Sequence, residues 1–302
     1  MLMLDSALLE DAADELGRIE VLAATGCPAL GAALRLAAVR ELTRIGDRER
    51  ALPLDVVLAA AADPLHDAAL PAAALQWRVL LETEERRVRG GAPLTSQRFA
   101  VVAPTLATYT DRARLEATWR ETGRGRAVIA RALEAAAWAP ARDVAEAGAA
   151  LVLCAGGRTD RVRFLPFGDV PDADAEAARS AWREGDEGPW TVLGLAALAQ
   201  RARAVRRALD VAWRRRDTDD AALDALGRAA ITARRALGHF EAELVTTMPR
   251  LADALGTSRP AAADALERLV AAGIAREVTG RARDRVYAYE AALPVASAAS
   301  GA

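Results

Sequence analysis

Catalysis and binding draw on a few residue types held close together, and here those types are thinly spread. The two histidines, His66 and His239, lie far apart, and Cys27 and Cys154 form no Cys-x-x-Cys pair. Zinc-site spacing is therefore missing, and neither a metal nor a cofactor is expected. The acidic runs Glu82, Glu84, Glu85 and Asp217, Asp219, Asp220 offer carboxylates, but each abuts arginines at an expected helix end. That context predicts solvated or capping clusters. Gly123-Arg124-Gly125 supplies a Gly-x-Gly with no strand pattern before it and no third glycine at phosphate-loop spacing, which makes it a plain loop. Arg201 to Arg216 carries arginines at 201, 203, 206, 207, 214, 215 and 216 against one acid, Asp210. Such a run is either a phosphate-facing stripe or the wet face of an amphipathic helix.

The densest group of residues suited to binding lies near the C-terminus. Ser258, Arg259, Ala263, Asp264 and Arg268 fall in one segment of helical period, and Arg276, Arg281, Arg283 and Arg285 fall in the alternating segment that follows. The elements that would position them are legible from local signals. Thr247 to Leu255 reads as a short amphipathic helix, and Gly256-Thr257 as a turn. Ser258 sits where an N-cap belongs, with Pro260 in the first turn after it. Arg259 to Ala272 is the next helix, with Ala262, Leu266, Leu269 and Val270 as its buried face and Gly273 as its C′ residue. Ile274 to Val278 and Arg285 to Tyr289 alternate apolar and polar residues around a glycine and arginine loop. The pattern predicts a winged helix-turn-helix with a two-stranded wing.

Upstream, apolar residues recur at helical spacing from Ser6 to about Ala62 and again over Pro71 to Arg89. Ser96 to Glu121, with a break at Pro104, Arg126 to Ala137, Arg142 to Cys154 and Ala173 to Glu184 continue the pattern. Pro189 to Arg216 and Asp220 to Val245 complete it. The reading is a mainly α protein: an α-helical bundle over 1–240, the winged helix-turn-helix over 241–293 and a flexible tail over 294–302.

The 302 residues are 52% hydrophobic, much of it alanine, and 27% charged, enough to bury a substantial core without an apolar run of membrane length. No membrane partner is expected, and a start containing Asp5 and Glu10 without a basic region predicts a cytoplasmic protein. Forty basic residues against 42 acidic ones exclude a histone-like global attraction for nucleic acid. Any DNA contact must be local.

The run Leu251-Ala-Asp-Ala-Leu-Gly-Thr-Ser-Arg-Pro, the run Ala265 to Arg281 and Arg285-Val-Tyr-Ala-Tyr resemble the C-terminal winged helix of bacterial Fic-family proteins. Weaker echoes keep the same order upstream, from Gly157 to Phe167 and through the Gly185 to Trp190 link. Enzymes of that family carry a His-Pro-Phe-x-Asp/Glu-Gly-Asn-Gly-Arg loop whose histidine is the general base and whose glycines and asparagine hold phosphate. The nearest placement here, Glu134 to Arg142, retains only the final arginine. The family's inhibitory helix has its nearest echo at Thr43 to Asp47. The resemblance thus implies a catalytically degenerate Fic-like body, or a separate helical family that shares the winged helix, and in either case no adenylyl transfer is expected.

Base readout falls to the first exposed residues of the second helix. Arg259 is the one side chain there suited to a bidentate guanine contact, and Asp264 either faces a cytosine amine or pairs with Arg268. Val245 to Glu290 holds seven arginines and six acids, so phosphate attraction rests on Arg276, Arg281, Arg283 and Arg285. Three functions compete: a DNA-binding regulator, whose contacts a homodimer would double, a protein-interaction module that binds no DNA, and, last, residual nucleotidyl transfer. Arginines of the wing and of Arg201 to Arg216 lying on one open face favour the first, and an Arg259 buried against the bundle the second.

Overall fold

A computed structural model describes residues 6–24, 28–46, 52–62, 72–120, 126–156, 165–167, 170–225 and 230–299. The first helices are α1 (Ser6–Ala24), α2 (Pro28–Gly46), α3 (Leu54–Ala62), α4 (Ala72–Arg89), α5 (Ser96–Phe99), α6 (Arg112–Arg120), α7 (Arg126–Ala137) and α8 (Arg142–Ala155). They are followed by α9 (Asp172–Arg183), α10 (Gly188–Asp224), α11 (Ala230–Ala242), strand β1 (Val245–Thr247), α12 (Met248–Leu255) and α13 (Arg259–Ala271). Strands β2 (Ala275–Glu277) and β3 (Val286–Tyr289) and helix α14 (Leu293–Ala299) complete the order. The described residues are mainly helical, with one three-stranded antiparallel sheet, and none of their helices is long and apolar enough to cross a membrane.

The axis of the molecule is α10, whose 37 residues span about 55 Å at the α-helical rise. Its buried alanines and leucines lie against α1 on one side, while Trp190 donates from its indole to Leu133 O of α7 at 2.8 Å. Farther along, Trp213 donates to Leu22 O of α1 at 3.2 Å. Both indoles thereby tie α10 to a neighbouring helix.

Three expectations are corrected. The acidic run at 217–220 does not end a helix: α10 continues to Asp224, and the separate helix from Asp220 to Val245 is replaced by the end of α10, then α11, then β1. Asp219 is only 2% exposed, takes Arg215 one turn earlier as an ion partner at 3.5 Å, and accepts from the Tyr289 hydroxyl at 3.2 Å. Long-range partners thus satisfy an acid that local rules place at a helix end. Second, the 96–121 stretch is divided into α5, a 3-10 turn at Pro104–Ala107 and α6. Third, residues 294–299 of the expected tail are helical: α14 packs between α2 and α10, with Val295 and Ala296 fully buried. A helix this short has no stability alone, so packing holds it.

Helix α11 packs on α13, α12 and β3 on one side and on α2 and α10 on the other, and Arg235 donates to Leu255 O at the end of α12, so α11 joins the C-terminal elements to the helical body. Its core is continuous with that of the helical body. The sheet has the order β1-β3-β2, with Val245 opposite Ala288 and Ala275 opposite Tyr289.

Candidate nucleic-acid interface

Local capping builds the helix pair much as the sequence predicts. Thr247 caps α12 by accepting from Arg250 N, and Gly256 closes it in the left-handed region at φ 59°. Such a turn costs glycine no Cβ clash. Ser258 Oγ then accepts from Ala261 N at 3.4 Å to begin α13. Ala262, Ala265, Leu266 and Leu269 are buried at three- and four-residue spacing. Val270, expected in the core, is 40% exposed instead: it lies about 100° around the helix from Leu269, off the packed stripe.

Arg259 stands exposed at the start of α13, with no ion pair among the described residues. Ala261 and Ala263 are half-buried. Asp264 is bound by Arg268, whose Nε and Nη2 donate to its two carboxylate oxygens at 2.9 and 3.1 Å. That hydrogen bond, reinforced by the guanidinium charge, holds the Asp264 carboxyl below its ordinary range. Of the two possibilities for Asp264, pairing with Arg268 is therefore the one present.

The hairpin loop is shaped by Glu277. Burial pushes its carboxyl upward, but hydrogen bonds from Thr279 and Gly280 outweigh that and lower its pKa overall. The amide of Thr279 donates to it at 2.7 Å and that of Gly280 at 3.0 Å. Asp284 turns the chain in the left-handed region at φ 52°. Arg281, Arg283 and Arg285 are all exposed around this turn, and Arg285 Nε donates to Arg281 O at 2.9 Å. Arg276 is exposed as well, and its Nε lies 3.2 Å from a Glu290 carboxylate oxygen, an ion pair that partly offsets its charge. The hairpin therefore concentrates its free positive charge in the loop.

The arginines of α10 are mostly internal struts. Arg201 is 1% exposed and donates to Ala298 O in α14, Arg203 pairs with Asp11, and Arg206 pairs with Glu15 at 2.7 Å. Arg215 donates to Gly273 O at 2.6 Å, and Arg216 pairs with Glu241. Only Arg207 and Arg214 of the seven stand exposed without a described partner. A continuous phosphate-facing stripe does not form, because most guanidiniums bind the helix to its neighbours. Arg250, absent from the sequence-based set, is a further strut: it donates to Ala62 O at 2.9 Å and meets Glu243 at 3.3 Å. No local pattern marks it, since both partners come from tertiary packing.

The segment Glu134 to Arg142 forms the end of α7, a turn and the start of α8. Arg142 is engaged by Asp172 and by Phe167 O, and Glu134 by Arg131. At the N-terminus of α8 the Asp143 carboxylate accepts from Val144 N at 2.8 Å. A negative group thus occupies the position where a helix N-terminus would otherwise attract phosphate. His239 faces Thr246 Oγ1 at 3.0 Å, and burial lowers its pKa. Cys154 is buried. His66, Cys27, Gly123 to Gly125, most of Gly157 to Phe167 and the side chains of Thr43 to Asp47 lie outside the described residues. Among the described residues no group of three or more potential ligands is placed to hold a metal ion. Of the acids of α4, Glu82 is exposed as expected, whereas Glu85 is buried and Glu84 is fully buried and bound by Arg87 at 3.2 Å and Arg98 at 3.1 Å.

No protein-family model matches the chain, and no curated protein matches it.

Proposed function

We propose that the chain is a winged-helix DNA-binding protein, a transcriptional regulator whose helical body is a catalytically degenerate relative of the Fic fold. The supporting observation is one arrangement. The elements run α11-β1-α12-α13-β2-β3 with sheet order β1-β3-β2, and exposed Arg259 opens α13 while exposed Arg281, Arg283 and Arg285 ring the hairpin loop. In this reading α13 enters the major groove with Arg259 at a guanine edge, and the loop arginines meet flanking phosphates. Ser258 and Ala263 sit at the groove with little capacity for base readout, and Arg268 is held by Asp264. Four exposed arginines with no ion pair of 4.0 Å or less among the described residues, on a unit with few base-reading side chains, suit modest affinity, and a homodimer would double the contacts.

The Asp143 carboxylate at the start of α8 supports the degenerate reading of the body, because it opposes a phosphate there. A protein-interaction module is the second reading, favoured by one feature: the middle of the exposed α13 face is a self-neutralised Asp264–Arg268 pair beside half-exposed Val270.

The test is a selection of genome fragments by the full-length chain, followed by affinity on the enriched site and on a random duplex at about 50 and about 200 mM salt. Enrichment of one site, with affinity falling steeply as salt rises, supports DNA binding. Absence of enrichment together with no binding of either duplex at low salt sinks it and leaves the interaction module.

A further inference from the structure

A cavity of about 370 Å³ opens between α4 and the turn that follows α5. Leu75, Val79 and Leu80 of α4 line one side of it, and Val101 and Val102 line the other. Leu75, Val79 and Thr83 fall at four-residue spacing on one row of the helix, so the trough follows α4 for about 12 Å at the α-helical rise. Val79 is 62% exposed and Val101 69%, so both walls put apolar surface in water. The walls are held in place from below: Phe99 of α5 is fully buried, edge-on to Trp77 of α4 at 6.3 Å and 4.9 Å from Trp119 of α6. The volume falls within the roughly 300–1,000 Å³ of small-molecule sites.

Charge on the same cavity restricts the ligand. Glu84 and Arg98 both line it, and the buried Glu84 carboxylate takes two guanidiniums, Arg87 at 3.2 Å and Arg98 at 3.1 Å. Among the described residues neither arginine meets a second acid, so the cluster keeps one positive charge. Arg98 gives only its Nη1 to Glu84. Its Nε and Nη2 have no hydrogen-bond partner among the described residues, and its side chain is about half exposed. That free edge of the guanidinium is the fork that takes a carboxylate through two parallel hydrogen bonds. A neutral hydrocarbon would leave the surplus charge unused, and an amine would meet it as a like charge. An aliphatic monoanion satisfies trough and charge together. We propose that this cavity binds a medium-chain carboxylic acid, with its hydrocarbon along Leu75, Val79 and Val101 and its carboxylate on Arg98. Binding of the acid goes beyond the DNA-binding reading and does not depend on it.

Calorimetric titration of the full-length chain, without DNA, tests the site. The titrants are octanoate, hexanoate, octanol and octylamine. Octanoate should bind saturably, and octanol and octylamine at least about tenfold more weakly, the usual result of losing a charged hydrogen bond. Hexanoate, two methylenes shorter, should also bind about tenfold more weakly, because less hydrocarbon leaves water. Arg98→Gln should weaken octanoate about tenfold while leaving octanol unchanged, a split that loss of the fold cannot produce. Val101→Asp, at an exposed position where folding does not need the valine, sets a negative charge in the trough and should weaken octanoate at least about tenfold. The proposal is overturned by no saturable heat with octanoate up to about 10 mM, or by octanol or octylamine binding as tightly as octanoate. Either variant binding octanoate like wild type overturns it as well. A chain that binds octanoate but no DNA sinks the DNA reading and supports this site; one that binds DNA but no octanoate does the reverse.

Discussion

Asp264 and Arg268 hold each other across one turn of α13 through two hydrogen bonds of 2.9 and 3.1 Å, on the face turned to solvent. The pair removes one cation from a surface that has few. Asp264→Ala should therefore free Arg268 for phosphate, tighten binding to specific and random duplexes alike and steepen the slope of log affinity against log salt by about one unit. Fluorescence anisotropy at two salt concentrations measures both effects. Unchanged affinity with blurred sequence preference would show that Asp264 reads a base instead.

Arg259 and the loop arginines should leave different signatures. Arg259→Ala is expected to lose about 1–3 kcal/mol on the preferred site and to relax its sequence preference. Arg281→Ala or Arg283→Ala should weaken all duplexes and flatten the salt slope by about one unit each. Equal losses from Arg259→Ala on specific and random DNA would remove it from the base-reading role.

Leu266 and Leu269 are almost fully buried, and each change to alanine should cost about 2–5 kcal/mol. Because the core of this unit is continuous with the body, and Tyr289 and Arg215 tie the sheet and α13 to α10, the loss should lower one shared unfolding transition. Val270→Ala, at a half-exposed position, should change it little. Scanning calorimetry showing a separate early transition for the C-terminal unit would refute the shared core.

Glu146 of α8 is 1% exposed, and burial pushes its carboxyl from the ordinary 4.5 up to about 8, although Phe167 N donates to it at 2.9 Å and Arg201 and Arg179 lie near. Between those two values the folded chain keeps a proton that the unfolded chain has released. Stability contributed by this group therefore falls as pH rises through the window. Glu146→Gln keeps the acceptor without the ionisation, so it should flatten the decline in melting temperature from about pH 5 to about pH 9 and be the more stable form at the upper end. A variant whose melting temperature declines as steeply as that of wild type would show that Glu146 does not titrate in this range.

Tyr289 donates to Asp219 at 3.2 Å across the seam between β3 and α10. Tyr289→Phe leaves a buried carboxylate short of a partner and should cost about 1–3 kcal/mol in urea unfolding. A loss near zero would mean that water or Arg215 replaces the hydroxyl.

What the sequence determined by itself is the set of elements built from neighbours in the chain. Ser258 capping α13, Gly256 and Gly273 in the left-handed region, and the alternating hairpin strands follow from side chains acting within a few residues of themselves. Tertiary structure decided what depends on distant partners. Strand β1 has three residues and exists because Val286 to Ala288 pair with it from about 40 residues away. The α14 helix exists because α2 and α10 cover it. The arginines of α10 look alike along the helix, yet Arg203 and Arg206 are consumed by acids of α1 and Arg216 by α11, whereas Arg207 and Arg214 face solvent. Helical periodicity gives the direction of a side chain but not what stands opposite it, because a charge is equally compatible with water and with an opposite charge supplied by another helix.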